Sequence, residues 1–243
     1  MEFLATDGAT VMVGQLVAQN NTWGRGDLVN GRDFVQTLHV ARGGDGGFAG
    51  ARIDWAWPED GSAGVRAYPE VFAGRKPWGP ETGGALLPLP LSAAAGLTAR
   101  FAADWGGEVS GFNVAFDLWV STDPQAGPEA ITHEIMVWLT PGGLTPAGRP
   151  AGRLQAGALQ GRLFARPDHG AGWTYLAVIA DHEMRRGEID LGALIAALQA
   201  TGHLPETGWL MTVELGAEVV SGAGWLEIRE LEVAGRTPSA PPP

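Results

Sequence analysis

Asn113-Val114-Ala115-Phe116-Asp117-Leu118-Trp119-Val120 alternates apolar and polar residues along its length. In an extended strand successive side chains point to opposite sides, so Val114, Phe116, Leu118 and Val120 share one face. Asn113, Asp117 and Trp119 share the other. Two more stretches carry the same signature. In Glu134-Ile135-Met136-Val137-Trp138-Leu139 the apolar set is Ile135, Val137 and Leu139, with Glu134, Met136 and Trp138 opposite. In 210–218, Met211, Val213, Leu215 and Ala217 are expected inward, with Thr212, Glu214, Gly216 and Glu218 outward. Three strands therefore predict a sheet with one face in a core. Its other face carries a carboxylate on every strand among Trp, Met and Gly, and reads either as a solvated surface or as a carbohydrate groove.

Outward from this sheet, short strand-like runs alternate with turn signals. Runs at 11–17, 34–40, 51–57, 65–72 and 97–101 precede it, with a Gly43-Gly44-Asp45-Gly46-Gly47 loop between the second and third. After Pro141 come 153–154, 161–164, 174–179, 209–218 and 224–233. This spacing predicts an all-β sandwich or barrel. One segment departs from it: Leu191, Leu194, Ile195 and Leu198 fall on a single helical face, Asp190 is an N-cap candidate and Gly202 closes the far end. A helix is expected over about 190–201. The expected organisation is one β-domain over 1–235 and a Pro-rich tail or linker remnant at 236–243.

Composition narrows the partner. The 243 residues carry a net charge of −11, without the Lys/Arg clusters that follow nucleic-acid phosphates or anionic lipid. No apolar run approaches a membrane span, and the first 14 residues lack a basic segment followed by an apolar one. The expectation is no membrane or nucleic-acid partner and no signal peptide within the chain. The absence of cysteine excludes disulfides, thiolate zinc sites and thiol nucleophiles together. Ten tryptophans stand against two tyrosines. A core uses some of them, but the flat apolar face of a pyranose also packs on an indole. A neutral carbohydrate fits this balance best.

Other chemistries lack their residues. His39, His133, His169, His182 and His203 show no paired spacing, which argues against a catalytic metal. The glycine-rich run 43–50 lacks a following Lys-Ser/Thr and reads as a loop, and Asp181-His182-Glu183 reads as a turn. No Gly-x-Ser-x-Gly elbow is present. Among the tryptophans, Trp119 and Trp138 lie on the groove face, with a partial core role open for either. Trp55, Trp57, Trp78 and Trp105 sit near loops and divide between packing and surface, while Trp173, Trp209 and Trp225 read as structural. Glu214 shares a face with Glu218 and either shapes its surroundings or faces solvent.

Five motifs, in chain order, resemble glycoside hydrolase family 12. Asn20-Asn21-Thr22-Trp23-Gly24 is similar to its Asn-x-Trp substrate-contact motif, and Tyr68-Pro69-Glu70-Val71 with Gly74 looks like another family signature. The stretch from Asn113 to Trp119 resembles the strand before its nucleophile, and the stretch from Glu134 to Leu139 the nucleophile strand itself. Gly216-Ala217-Glu218 followed by Ser221-Gly222 resembles the segment holding its acid/base. The motifs cover most of residues 11–235, and the expected helix falls where that family has its one substantial helix.

The resemblance implies a β-jelly-roll sandwich of two antiparallel sheets with a concave substrate cleft. It implies a retaining endo-β-1,4-glucanase with Glu134 as nucleophile, Glu218 as general acid/base and Asp117 hydrogen-bonded to the nucleophile. Asn21 and Trp23 would contact sugars on the non-reducing side and Met136 would lie near the reactive ring; Asn113, Trp119 and Trp138, on the groove face by alternation, are the further candidates for substrate contact. No cofactor or metal is implied, and the implied setting is a secreted monomer acting on β-glucan. Val219 and Val220 replace the Pro or Leu and the aromatic common in the family, so the choice among cellulose-like, mixed-linkage and xyloglucan chains stays open. His133 either sits at the core edge or tunes pH dependence. A transglycosylase using the same residues and a glucan-binding module without catalysis are the alternatives; the two glutamates with Asp117 argue against the second.

Overall fold

The computed structural model describes residues 2–79, 82–108, 110–170 and 172–235; the Pro-rich tail expected at 236–243 lies outside the described residues. The strands are β1 (Glu2–Leu4), β2 (Thr10–Val13), β3 (Leu16–Gln19), β4 (Val35–Arg42), β5 (Phe48–Trp57), β6 (Glu70–Arg75), β7 (Thr82–Gly83), β8 (Leu89–Pro90) and β9 (Leu97–Gly107). They continue as β10 (Val114–Ser121), β11 (Ile131–Thr140), β12 (Arg149–Ala156), β13 (Leu159–Arg166), β14 (Thr174–Ala180), β15 (Arg186–Asp190), β16 (Trp209–Gly216) and β17 (Gly222–Gly235). Among the described residues, six form one sheet in the order β1-β4-β5-β17-β9-β15. The eleven-stranded sheet follows β12-β13-β14-β11-β10-β16-β6-β3-β2, with β7 on β6 and β8 on β16. This is the two-sheet jelly-roll sandwich that the sequence predicts.

Alternation drives the packing. Val114, Phe116, Leu118, Ile135, Val137, Val213 and Leu215 leave one face of the larger sheet and meet Leu38, Ile53, Phe101, Leu226 and Ile228 from the smaller, all buried in one core. Phe101 and Phe116 join the sheets edge to face, with ring centroids 5.2 Å apart. Each such side chain contributes about 1.5–3 kcal/mol by leaving water. The helix α1 (Leu191–Ala200) buries Leu191, Leu194, Ile195 and Leu198 and packs on β12 and β9. Asp190 caps it by accepting from the Ala193 N–H at 2.8 Å. Past its end Gly202 takes φ 73°, and its N–H reaches the Gln199 carbonyl at 2.9 Å.

Several features depart from the sequence reading, among them the run 65–72, whose strand begins only at Glu70, and β15, which it lacks. The run 11–17 is not one strand: it splits at Gly14, φ 60°, into the β2/β3 hairpin. One neighbouring pair in the larger sheet, β11 with β14, is parallel. The 141–148 connection crosses over instead of turning back, so β12 runs in the direction of β11, and β14 does too after two antiparallel steps. Met211 does not join the core alternation. Trp119 pairs with Thr212 but Val120 with Leu210, so Met211 is the extra residue of a bulge. Leu210 takes the core position, and Met211 packs with Trp119 and Ile131 on the opposite face.

Candidate active site

Strand registers align the polar positions of the larger sheet into rows on the face turned away from the core. Tyr175, Glu134, Trp119 and Thr212 lie side by side across β14, β11, β10 and β16. Ala177, Met136, Asp117 and Glu214 form the next row, and a third ends on Gly216 and Glu70. Glu218 comes from the segment just past β16 and is fixed by Asn113. The Glu218 N–H donates to Asn113 Oδ1 at 3.1 Å, the Asn113 N–H donates to the Glu218 carbonyl at 3.1 Å, and Asn113 Nδ2 donates to Glu218 Oε2. Glu134 is held from another loop: Trp173 Nε1 donates to its Oε2 at 2.7 Å.

These rows floor a cavity of about 1020 Å³ lined by Glu134, Glu218, Asp117, Asn21, Trp23 and Met136, among others. Trp119 and Trp138 also line it, each almost wholly covered by neighbours. Trp138 is tied down by Met136, whose sulfur accepts its Nε1–H at 3.3 Å. Trp23 is 68% exposed, and its N–H donates to Asn21 Oδ1 at 3.3 Å. Asn113 is a correction: it is wholly buried behind Glu218, so it orients that carboxylate and presents no surface to a ligand.

The structure reassigns two tryptophans and decides between readings that the sequence leaves open for Glu214 and His133. Trp173, read as structural, grips Glu134 and meets Trp119 edge to face at 5.2 Å. Trp78, left among the loop tryptophans, is 44% exposed in the cleft and abuts Trp119 at 4.6 Å. Glu214 does not face solvent; it is buried and paired with Lys76. His133 sits on the core-side phase of β11 with Nδ1 3.0 Å from Thr132 Oγ1, and its pKa is lowered chiefly by burial. A lone indole N–H aimed at a carboxylate from a distant loop leaves no local sequence signal.

A family model described as glycosyl hydrolase family 12 matches residues 14–233. The chain belongs to glycosyl hydrolase family 12. Endoglucanase S from Pectobacterium parmentieri is 24% identical over 220 residues, spanning 88% of this chain and 79% of that protein. A probable xyloglucan-specific endo-β-1,4-glucanase A from Aspergillus terreus is 25% identical over 215 residues, spanning 88% and 79%. Among solved structures, a family 12 xyloglucanase from Bacillus licheniformis superposes with a TM-score of 0.84 at 22% identity, covering 97% of this chain and 100% of that one. The fold is thus shared along nearly the whole chain, and the protein is a glycoside hydrolase.

In this family 12 cleft the carboxyls carry raised pKa values. Burial pushes Glu134 up to about 8; Trp173 opposes the shift, and the charges of Glu218 and Glu214 add to it. Burial pushes Glu218 up to about 7, opposed by the Asn113 amide. Asp117 is raised well above the ordinary range, by burial first and then by Glu134, Glu214 and Glu218. No hydrogen bond joins Asp117 to Glu134; Asp117 Oδ1 is buried without a partner. Interacting carboxyls release their protons in steps that belong to the group as a whole, so near neutrality this cluster retains protons that isolated carboxyls would have lost.

Proposed function

We propose that this family 12 member is a retaining endo-β-1,4-glucanase with Glu134 as nucleophile and Glu218 as general acid/base. One observation carries the reading: two half-buried carboxyls, each gripped by its own donor, line one cavity, and the charge of Glu218 bears on the ionisation of Glu134. Retention requires one ionised carboxylate and one protonated carboxyl roughly 5–5.5 Å apart. Trp173 donates to Glu134 and Asn113 donates to Glu218, so the division of roles rests on the likeness of the Glu134 strand to the family's nucleophile strand, not on these donors or on the order of the two pKa values. Glu134 attacks the anomeric carbon while Glu218 passes its proton to the departing glycosidic oxygen. The glycosyl–Glu134 ester is then attacked at that carbon by water, which gives its proton to Glu218 and frees Glu134. Asp117 lines the same cavity, and its raised pKa favours a neutral carboxyl there that adds no second charge to that of Glu134.

Asn21, the exposed Trp23 and the newly found Trp78 supply sugar contacts away from the reacting bond. Relatives named as xyloglucan-specific support a branched glucan as substrate, and the small Val220 at the cleft wall leaves room for a side chain there. A polymer of that size also supports action outside the cell. The test is proton NMR of the first products from barley β-glucan and tamarind xyloglucan. A β-anomer at the new reducing end is expected; an initial α-anomer contradicts the double displacement.

A further inference from the structure

Beside the proposed catalytic pair lies a second group of charges that the reaction as described does not use. Glu70 on β6, Lys76 just after it and Glu214 on β16 are 0%, 3% and 1% exposed. Lys76 Nζ donates to Glu70 Oε1 at 2.6 Å and lies 3.0 Å from Glu214 Oε2. Two carboxylates against one ammonium would leave a net negative charge on buried groups, a costly arrangement. The remaining oxygens, Glu70 Oε2 and Glu214 Oε1, are both buried and neither meets an N–H or O–H donor. A proton shared between the two carboxyls satisfies both oxygens and leaves the trio neutral. The rise of the Glu70 pKa fits this, its causes being burial first and then the Glu214 charge.

The trio touches both halves of the cleft. On the sugar side, Asn21 Nδ2 donates to Glu70 Oε1 at 3.0 Å, and Lys76 Nζ stands 5.8 Å from the Trp78 ring. On the catalytic side, Glu214 is the direct cross-strand neighbour of Asp117. We propose that Glu70, Lys76 and Glu214 act as one positioning unit, fixing Asn21 for the sugar and setting the charge that Asp117 and Glu134 meet. Of the other titratable groups, Tyr68 before β6 faces the trio, while Glu218 after β16 and Tyr175 on β14 face Asp117. Lys76 is the cation that acts on Asp117.

A shared proton makes a prediction that mere packing does not. Glu70→Gln forces the single negative charge onto Glu214, next to Asp117. Glu214→Gln moves it to Glu70, farther away. The acid limb of kcat/KM should rise in the first variant and fall in the second, each by roughly half a unit to one unit. The carboxyl ¹³C titration of Asp117 should move the same way. Both variants keep Lys76 paired with one carboxylate and are expected to fold, so a variant that does not fold counts against the unit. Shifts in the same direction, or none, overturn it. The kinetic arm rests on the glucanase reading, but the NMR arm does not: opposite NMR shifts in a chain that fails to cut glucan would keep the unit and remove that reading.

Discussion

The two faces of the β10–β11–β16 sheet are built from the same strands, and much of the cleft face is buried as the core face is, yet they do different work. The core face holds Val114, Phe116, Leu118, Ile135, Val137, Val213 and Leu215, with no polar atom to satisfy. The cleft face holds Asp117, Glu134 and Glu214, with Glu70 and Glu218 at its margins and Lys76 to balance five carboxyls. Burial alone therefore does not distinguish core from site. The difference lies in polar demand: on the cleft side Asp117 Oδ1 is buried without a partner, and Glu70 Oε2 and Glu214 Oε1 meet no N–H or O–H donor and depend on the shared proton. A protein retains such costs where the groups are used.

Substitutions on either face sharpen that contrast. Glu134→Gln should lower kcat on glucan by at least about 10³-fold while leaving the fold intact, measured by reducing-sugar release beside circular dichroism. Phe116→Ala, across the same sheet, should do the reverse. It removes the contact with Phe101 and should cost about 3–5 kcal/mol in urea unfolding, with kcat little changed in the fraction that stays folded. If Phe116→Ala abolished kcat at full stability, the division between the faces would fail. Trp173→Phe keeps the ring and deletes the donor to Glu134. A loss of about 10–100-fold in kcat is expected, with the acid limb of the profile moved to higher pH, because the donor favours the ionised carboxylate.

The smallest effect concerns stability. The raised Glu134 pKa means that its proton is held more tightly in the folded chain than in the unfolded one. Its contribution is fully present below the unfolded value of about 4.3 and is lost as pH rises through about 8. Glu134→Gln should therefore gain stability over wild type as pH climbs through that range, by roughly 2–4 °C in Tm on the alkaline side. An equal or lower Tm there would mean that the carboxylate is not strained by its burial.

How much of this the sequence made legible follows from where each signal lies. Alternation places Asp117 and Glu134 on the cleft face, and the 3.6-residue period with Asp190 gives the helix, because both signals are local. Alternation also puts Glu218 on that face, but its role, like the Asn21/Trp23 pair, is legible only through the family motifs. A one-residue bulge hides Met211, since nothing in the 210–218 run marks where the phase slips. Asn113 falls on the cleft phase, but its depth behind Glu218 depends on a segment far along the chain. Trp173 and the Glu70–Lys76–Glu214 group are tertiary juxtapositions, and Glu70 was visible only as one residue of the Tyr68-Pro69-Glu70-Val71 motif.

The central claim is that Glu134 forms the covalent bond to sugar. Incubating Glu218→Ala with a 2-deoxy-2-fluoro cellobioside that bears an activated leaving group, followed by peptide mass spectrometry, tests it directly. Without its acid/base the chain should still displace such a leaving group but be unable to hydrolyse the product. The peptide containing Glu134 should therefore carry one glycosyl mass. No adduct, or an adduct on Asp117 or Glu214, contradicts the account.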